Sequence, residues 1–306
     1  MPQNSSRQLL RVYAVCLLGT FAGAFISPIL RLLVDLGVDP SVITFYRTLF
    51  VSLLLVPLLL LRKKGRGNLR AAFSPRVFAL VLAYALCRSA GLLFWAEAMA
   101  KGASAFVANT LGNSSAVFVV LFSFLFLKEK TSLRSLAGIG VCLIGVMVIG
   151  SDNLGESSAF LAVVFILLSS LFNAGNTVLG RAVRRTLDLL PLLAMEYSIS
   201  SLCTGAYALS KGADFRIPPL AIFYLILLSW VCTLMALSIP IWALRYARPA
   251  SVSVINLAGP VFTVFTGFFL LGEVPTLPMY IGAAIMILGL GYYVINEQKE
   301  ALQGKH

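Results

Sequence analysis

Charged side chains set within apolar sequence are the groups with chemistry to do in this chain. Arg47, Arg88, Glu97 and Glu196 lie inside long apolar runs, and Glu129 and Glu273 lie at the ends of two others. A charge in hydrocarbon is costly, so such residues face a cavity or a partner. Arg88 has Tyr84 four residues before it, Gly91 three after it and Trp95 seven after it. At 100° per residue these four share one helix face. A guanidinium offers a planar fork for a carboxylate, and the rings offer stacking area, which suits a carboxylate on an organic, even aromatic, substrate. The alternative is a structural Arg88 bonded to helix carbonyls or to a Glu.

The other candidates divide in the same way. Trp95 and Trp242 read either as walls or gates of a cavity or as belt residues at the two membrane interfaces. Asn109, Asn113, Asn173, Asn176 and Asn256 sit among apolar residues, where amides need partners. They serve interhelical hydrogen bonds or substrate contact, and Asn109 and Asn113 are one turn apart. Arg47 reads as a member of a structural or gating pair. Glu196 could bind an amine, carry a proton or cap a helix. The only histidine is His306, so any proton coupling falls to a carboxylate, Glu196 or Glu97 first. Glu129 and Glu273 precede apolar helices, where a carboxylate meets the positive end of the helix dipole. They read as structural. No Walker loop, strand-borne G-x-G-x-x-G or G-x-S-x-G occurs. No catalytic residue, metal site or cofactor is expected.

The elements that position these residues are membrane helices. The 306 residues are 59% hydrophobic and 12% charged, against about a quarter charged in soluble domains, and mean hydropathy is +0.93. Long apolar runs in a bilayer must be helical, because a helix satisfies its own backbone. Ten spans follow, near 9–33, 41–61, 77–100, 102–127, 135–151, 157–180, 189–210, 217–244, 249–272 and 274–296. The five cysteines, Cys16, Cys87, Cys142, Cys203 and Cys232, fall inside these runs without a C-x-x-C, and read as packing residues. The run after Arg7 and Arg11 reads as an uncleaved first helix. With the N-terminus in the cytoplasm, 18 Lys and Arg face inward and 4 outward, so both termini are expected there, in a plasma membrane. The net charge of +12 is therefore topogenic and implies no nucleic acid.

One pattern occurs twice. Phe124-Leu125-Phe126-Leu127-Lys128-Glu129 is followed by Gly138 and Gly145; Phe268-Phe269-Leu270-Leu271-Gly272-Glu273 is followed by Gly282 and Gly289. In both, glycine stands 9 and 16 residues after the Glu. Trp95-Ala96 matches Trp242-Ala243, Ala103-Ser104 matches Ala250-Ser251, and Asn109 matches Asn256, all at an offset of 147. Asn113 faces Pro260, so the second copy carries a helix breaker where the first carries an amide. The glycines, seven apart, read as close-packing positions. Five helices per copy is odd, so the copies enter the membrane from opposite sides, as an inverted repeat over 1–151 and 152–306.

Through the segments Ala103 to Gly145 and Ala250 to Gly289, and Phe45-Tyr46-Arg47-Thr48 early in the second helix, the chain resembles the drug/metabolite transporter superfamily in its EamA-type ten-helix branch. It departs at Asn113-Ser114, where that family often has Pro. The resemblance implies alternating access by two five-helix units, with the third, fourth, eighth and ninth helices around the cavity and the fifth and tenth peripheral. The expected function is a secondary transporter that exports amino acids or related carboxylate-bearing compounds. Its partners would be a small-molecule substrate and the lipid bilayer, and it would work as a monomer or a homodimer. The alternatives are a transporter or flippase for nucleotide sugars or lipid-linked sugars, and a membrane-embedded enzyme or sensor.

Overall fold

A computed structural model describes residues 2–61, 72–101, 112, 114–127, 132–150, 159–272 and 277–302. Among these the regular elements are all helical: α1 (Pro2–Ala24), α2 (Ile26–Asp35), α3 (Pro40–Leu61), α4 (Pro75–Ala100), α5 (Ser115–Leu127), α6 (Leu133–Gly150), α7 (Ala159–Arg184), α8 (Leu189–Ser210), α9 (Pro219–Ile226), a π-helical stretch (Leu227–Thr233), α10 (Leu234–Ala243), α11 (Pro249–Asn256), α12 (Gly259–Leu271) and α13 (Leu277–Leu302). Among the described residues, seven helical stretches are long and apolar enough to cross a membrane, and three shorter apolar helices cover Ser115–Leu127, Leu133–Gly145 and Tyr280–Tyr293. Together they make ten apolar segments, five in each half. The surface is what a bilayer requires: Leu61, Leu202, Phe269 and Leu288 are each more than 70% exposed, while Arg47, Arg88 and Glu196 are buried.

Several spans are broken, and prolines account for the breaks. Pro28 has no N–H to give the carbonyl of Ala24, and its ring crowds that carbonyl. The first span is accordingly interrupted at Phe25, and the Thr266 hydroxyl donates to the freed Ala24 carbonyl at 2.9 Å. Pro260 has no N–H to give the carbonyl of Asn256: α11 ends at Asn256 and α12 restarts at Gly259. Pro240, two turns after the π-helical stretch, removes the donor that the Ala236 carbonyl would have within α10. Broken backbone at membrane depth is tolerated where it is enclosed by protein or lines a cavity.

The repeated glycines bring α6 and α13 together. A Cβ on Gly145 would lie 2.7 Å from the Gly282 carbonyl oxygen, and one on Gly289 would lie 2.8 Å from the Cys142 nitrogen. A Cβ on Gly138 would meet Tyr293 at 3.0 Å. The glycines of one copy therefore pack on the helix that carries the glycines of the other. Elsewhere, hydroxyls stitch helices: Thr48 and Thr204 approach to 3.2 Å, and Ser52 and Ser198 to 2.8 Å, between α3 and α8.

Candidate functional site

Between the two halves lies a cavity of about 280 Å³. Its wall takes Arg47 from α3, Arg88 and Trp95 from α4, Asn173 from α7 and Asn256 from α11. Ala236 and Asn256, whose carbonyls lose their helical donors to proline, both line it. The first, second, third, fourth, sixth, eighth and ninth spans contribute residues. That is a wider circle than the resemblance implied, because α7 packs along α4 and carries Asn173 to the wall. Neither α6 nor α13 contributes.

Arg88 is held by a network that spans three helices. Its Nε donates to Glu196 Oε1 at 2.9 Å, and its Nη1 donates to Asn173 Oδ1 at 3.1 Å. Tyr84, one turn earlier on α4, donates its hydroxyl to Glu196 Oε2 at 2.8 Å. Asn176 Nδ2 donates to the Tyr84 carbonyl at 2.9 Å and to Glu196 Oε1 at 3.3 Å. Glu196 thus accepts from three side chains while only 1% exposed, the partners that a buried polar group needs. The local sequence explains the assembly. Tyr84 and Arg88 are four apart on α4, and Ser169, Asn173 and Asn176 lie on one stripe of α7. Gly91 lets the two helices close: the Ser169 hydroxyl donates to its carbonyl at 2.7 Å, and a Cβ there would lie 3.0 Å from the Asn173 amide.

Arg47 has different surroundings. Its Nε donates to the Thr233 hydroxyl at 2.6 Å, where the π-helical stretch ends. Single-turn π-bulges are frequent at functional sites.

Comparison with known proteins matches this architecture. The model of the EamA-like transporter family matches residues 10–151 and again 160–295. The chain belongs to the EamA-like transporter family. Each match contains five of the apolar helical segments, so it is an all-helical protein of two repeats, as its doubled motif implied. An "Uncharacterized transporter" of Archaeoglobus fulgidus is 30% identical over 82% of this chain and 86% of its own length. The "Uncharacterized transporter YcbK" of Bacillus subtilis is 25% identical over 93% of this chain and 94% of its own. A solved structure described as "Crystal structure of protein" superposes with a TM-score of 0.75 over 94% of this chain and 98% of that one. At 15% identity it shows the fold alone.

Within this EamA-like transporter the residues picked out by sequence fall in four places. Arg47, Arg88, Trp95, Asn173 and Asn256 line the cavity. Tyr84, Asn176 and Glu196 stand behind Arg88 and hold it. Trp242 packs against Tyr246 with ring centroids 5.2 Å apart, and Glu97 accepts hydrogen bonds from Tyr207 and Lys211 at the end of α8; neither lines the cavity. Asn109, Asn113, Glu129 and Glu273 lie outside the described residues. Sequence reasoning missed Ser27, Ser115, Thr177 and Ser253, which add hydroxyls to the wall. A serine or threonine in a membrane helix has the same signature whether it lines a cavity or bonds its own backbone, so no signal marked them. Pro240 and the Ser27-Pro28 pair were the readable clues, because a proline in an apolar run leaves a helix carbonyl without its donor.

Proposed function

We propose that this protein is a secondary transporter that exports amino acids or related carboxylate-bearing metabolites by alternating access. The observation that carries the reading is the polar cavity between the repeats, with a guanidinium chemistry at one part of its wall and donor-deprived carbonyls at another. A carboxylate suits the first, and an ammonium group suits the carbonyls of Ala236 and Asn256 and the Asn256 amide oxygen. Trp95 adds a ring for the body of the substrate. The volume, about 280 Å³, lies at the small end of ligand sites, about 300–1,000 Å³. That supports a single small metabolite over a nucleotide sugar. Binding and movement, not bond chemistry, are the role of the site.

Orientation in a plasma membrane with both termini in the cytoplasm follows from the uneven distribution of Lys and Arg. Ser74 and Ser210 are exposed, and Ser74→Cys is expected to react with an impermeant maleimide from the cytoplasmic face, Ser210→Cys from the other.

The transport reading is tested in proteoliposomes. Loaded with unlabelled amino acids, they are expected to take up radiolabelled L-phenylalanine or L-leucine by saturable counterflow, and not the decarboxylated amines. Flux no greater than in protein-free liposomes, or equal flux of acid and amine, would contradict it.

A further inference from the structure

Two guanidinium groups reach the cavity wall, Arg47 and Arg88, and only one of them has a carboxylate on it among the described residues. Arg88 is paired with Glu196 at 2.9 Å. Arg47, 6% exposed, makes its one hydrogen bond among the described residues to a neutral hydroxyl, that of Thr233. The other carboxylate of the central helices that the sequence singled out, Glu97, is engaged by Lys211. Glu196 is already occupied by three donors. The described wall therefore carries two cationic groups, with one carboxylate, Glu196, behind Arg88 and none on Arg47.

A buried charge without a counter-charge is unfavourable in the empty protein. Such an arrangement persists where the missing counter-ion is supplied by something that comes and goes. The Thr233 bond occupies the Nε side of the guanidinium and fixes its plane. That leaves the two terminal Nη groups, whose parallel N–H bonds match the two oxygens of a carboxylate. Thr233, whose hydroxyl takes this bond, is the last residue of the π-helical stretch. We infer that Arg47 is the residue that holds the substrate's carboxylate, and that Arg88, already neutralised by Glu196, is a positioning residue that shapes the adjoining wall. The inference rests on the reading of the cavity as a carboxylate transporter's site and assigns the charge recognition within it.

Thermal melting of the purified full-length protein tests it, whichever carboxylate the transporter carries. Without ligand, Arg47→Gln is expected to melt at or above the wild-type temperature, because an uncompensated charge is removed. Arg88→Gln is expected to melt below it, because Glu196 loses its cation. A fall in Arg47→Gln as large as that in Arg88→Gln would mean that Arg47 is compensated and would overturn the inference. The second arm adds sodium acetate, benzoate, succinate or L-phenylalanine, with benzamide and phenethylamine as carboxylate-free controls. At least one carboxylate is expected to stabilise the wild type in a concentration-dependent way. The apparent affinity should fall about tenfold or more in Arg47→Gln, and also in Arg47→Lys, which keeps charge but loses the fork. Stabilisation that survives unchanged in both variants would overturn the assignment to Arg47 and leave the transport reading standing. No stabilisation of the wild type by any of the four would overturn the carboxylate reading, and this inference with it.

Discussion

Along the seam between α6 and α13, contact is made where side chains are missing: Gly138, Gly145, Gly282 and Gly289 let backbone meet backbone. Around the central cavity, contact is made by polar side chains, and two of the spans that carry them are interrupted, at Phe25 and between Asn256 and Gly259, while a third holds Pro240 within its helix. The seam joins the last helices of both copies through packing that has one close geometry. The cavity joins the earlier helices through side-chain hydrogen bonds and takes in the breaks of the first and ninth spans. In the alternating-access mechanism proposed above, the seam would serve as a brace and the cavity wall as the part that rearranges.

The largest expected effect separates the two regions by charge. Glu196→Gln leaves Arg88 buried without its counter-ion, and is expected to cost about 3–5 kcal/mol, read as a fall in melting temperature. The double variant Glu196→Gln with Arg88→Gln should recover a large part of that loss. If the double variant melts no higher than the single one, the network is not a charge pair and the contrast with Arg47 disappears.

In the seam, Gly145→Ala places a Cβ 2.7 Å from the Gly282 carbonyl oxygen and 2.9 Å from the Met286 nitrogen. Backbone cannot yield as a side chain does, so a loss of about 1–3 kcal/mol is expected. Ligand affinity per folded molecule should stay the same, because the seam does not touch the cavity. A variant of unchanged stability with altered affinity would reverse the roles given to the two regions.

Gly91→Ala sharpens the boundary between packing and recognition. Its Cβ presses on the Asn173 amide at 3.0 Å, a side chain that can swing away at the loss of its bond to Arg88. About 1 kcal/mol of stability is expected to go, together with weaker transport, measured as counterflow at equal protein content. Transport at the wild-type level would mean that Asn173 is a spectator on the wall.

The smallest effect belongs to neither region. Lys211 pairs with Glu97 at the end of α8 and is 41% exposed. The hydrogen bond to Glu97 is the chief cause that raises the Lys211 pKa, so its contribution is present below the ordinary lysine value and fades as pH rises through the raised one. Solvent screening keeps it to about 0.2–1 kcal/mol. Lys211→Met should lower the melting temperature slightly at neutral pH, and the difference should shrink in high salt and in strongly alkaline buffer.

The seam was legible from sequence and the cavity only in outline, for a physical reason. The glycines at matched distances after Glu129 and Glu273 state a packing rule along one helix, and that rule repeats in the chain. Ten apolar segments, their two repeats and the buried positions of Arg47 and Arg88 follow from hydropathy and register in the same manner. Which side chain meets which across the cavity depends on the order of helices around it, and period along a helix carries no such information. Glu196 was visible as a buried carboxylate, but nothing near it in sequence points to Arg88 on α4. Thr233, which bonds Arg47, ends a π-helical stretch that has no marked composition in Leu227–Thr233. Trp95 and Trp242 occupy equal places in the repeat, yet only Trp95 lines the cavity. Equal register does not give equal surroundings once the two copies have diverged, as Asn113 and Pro260 have.

Alternating access through the central cavity is tested most directly by the reach of a single cysteine in its wall. Ser253 lines the cavity and is close in shape to cysteine. In a background with the five native cysteines replaced, Ser253→Cys in oriented membrane vesicles is exposed to an impermeant maleimide from one face or the other. Labelling from both faces is expected, slowed on each by a transported carboxylate, because one site serves both sides in turn. Labelling confined to one face under every ligand condition would contradict it.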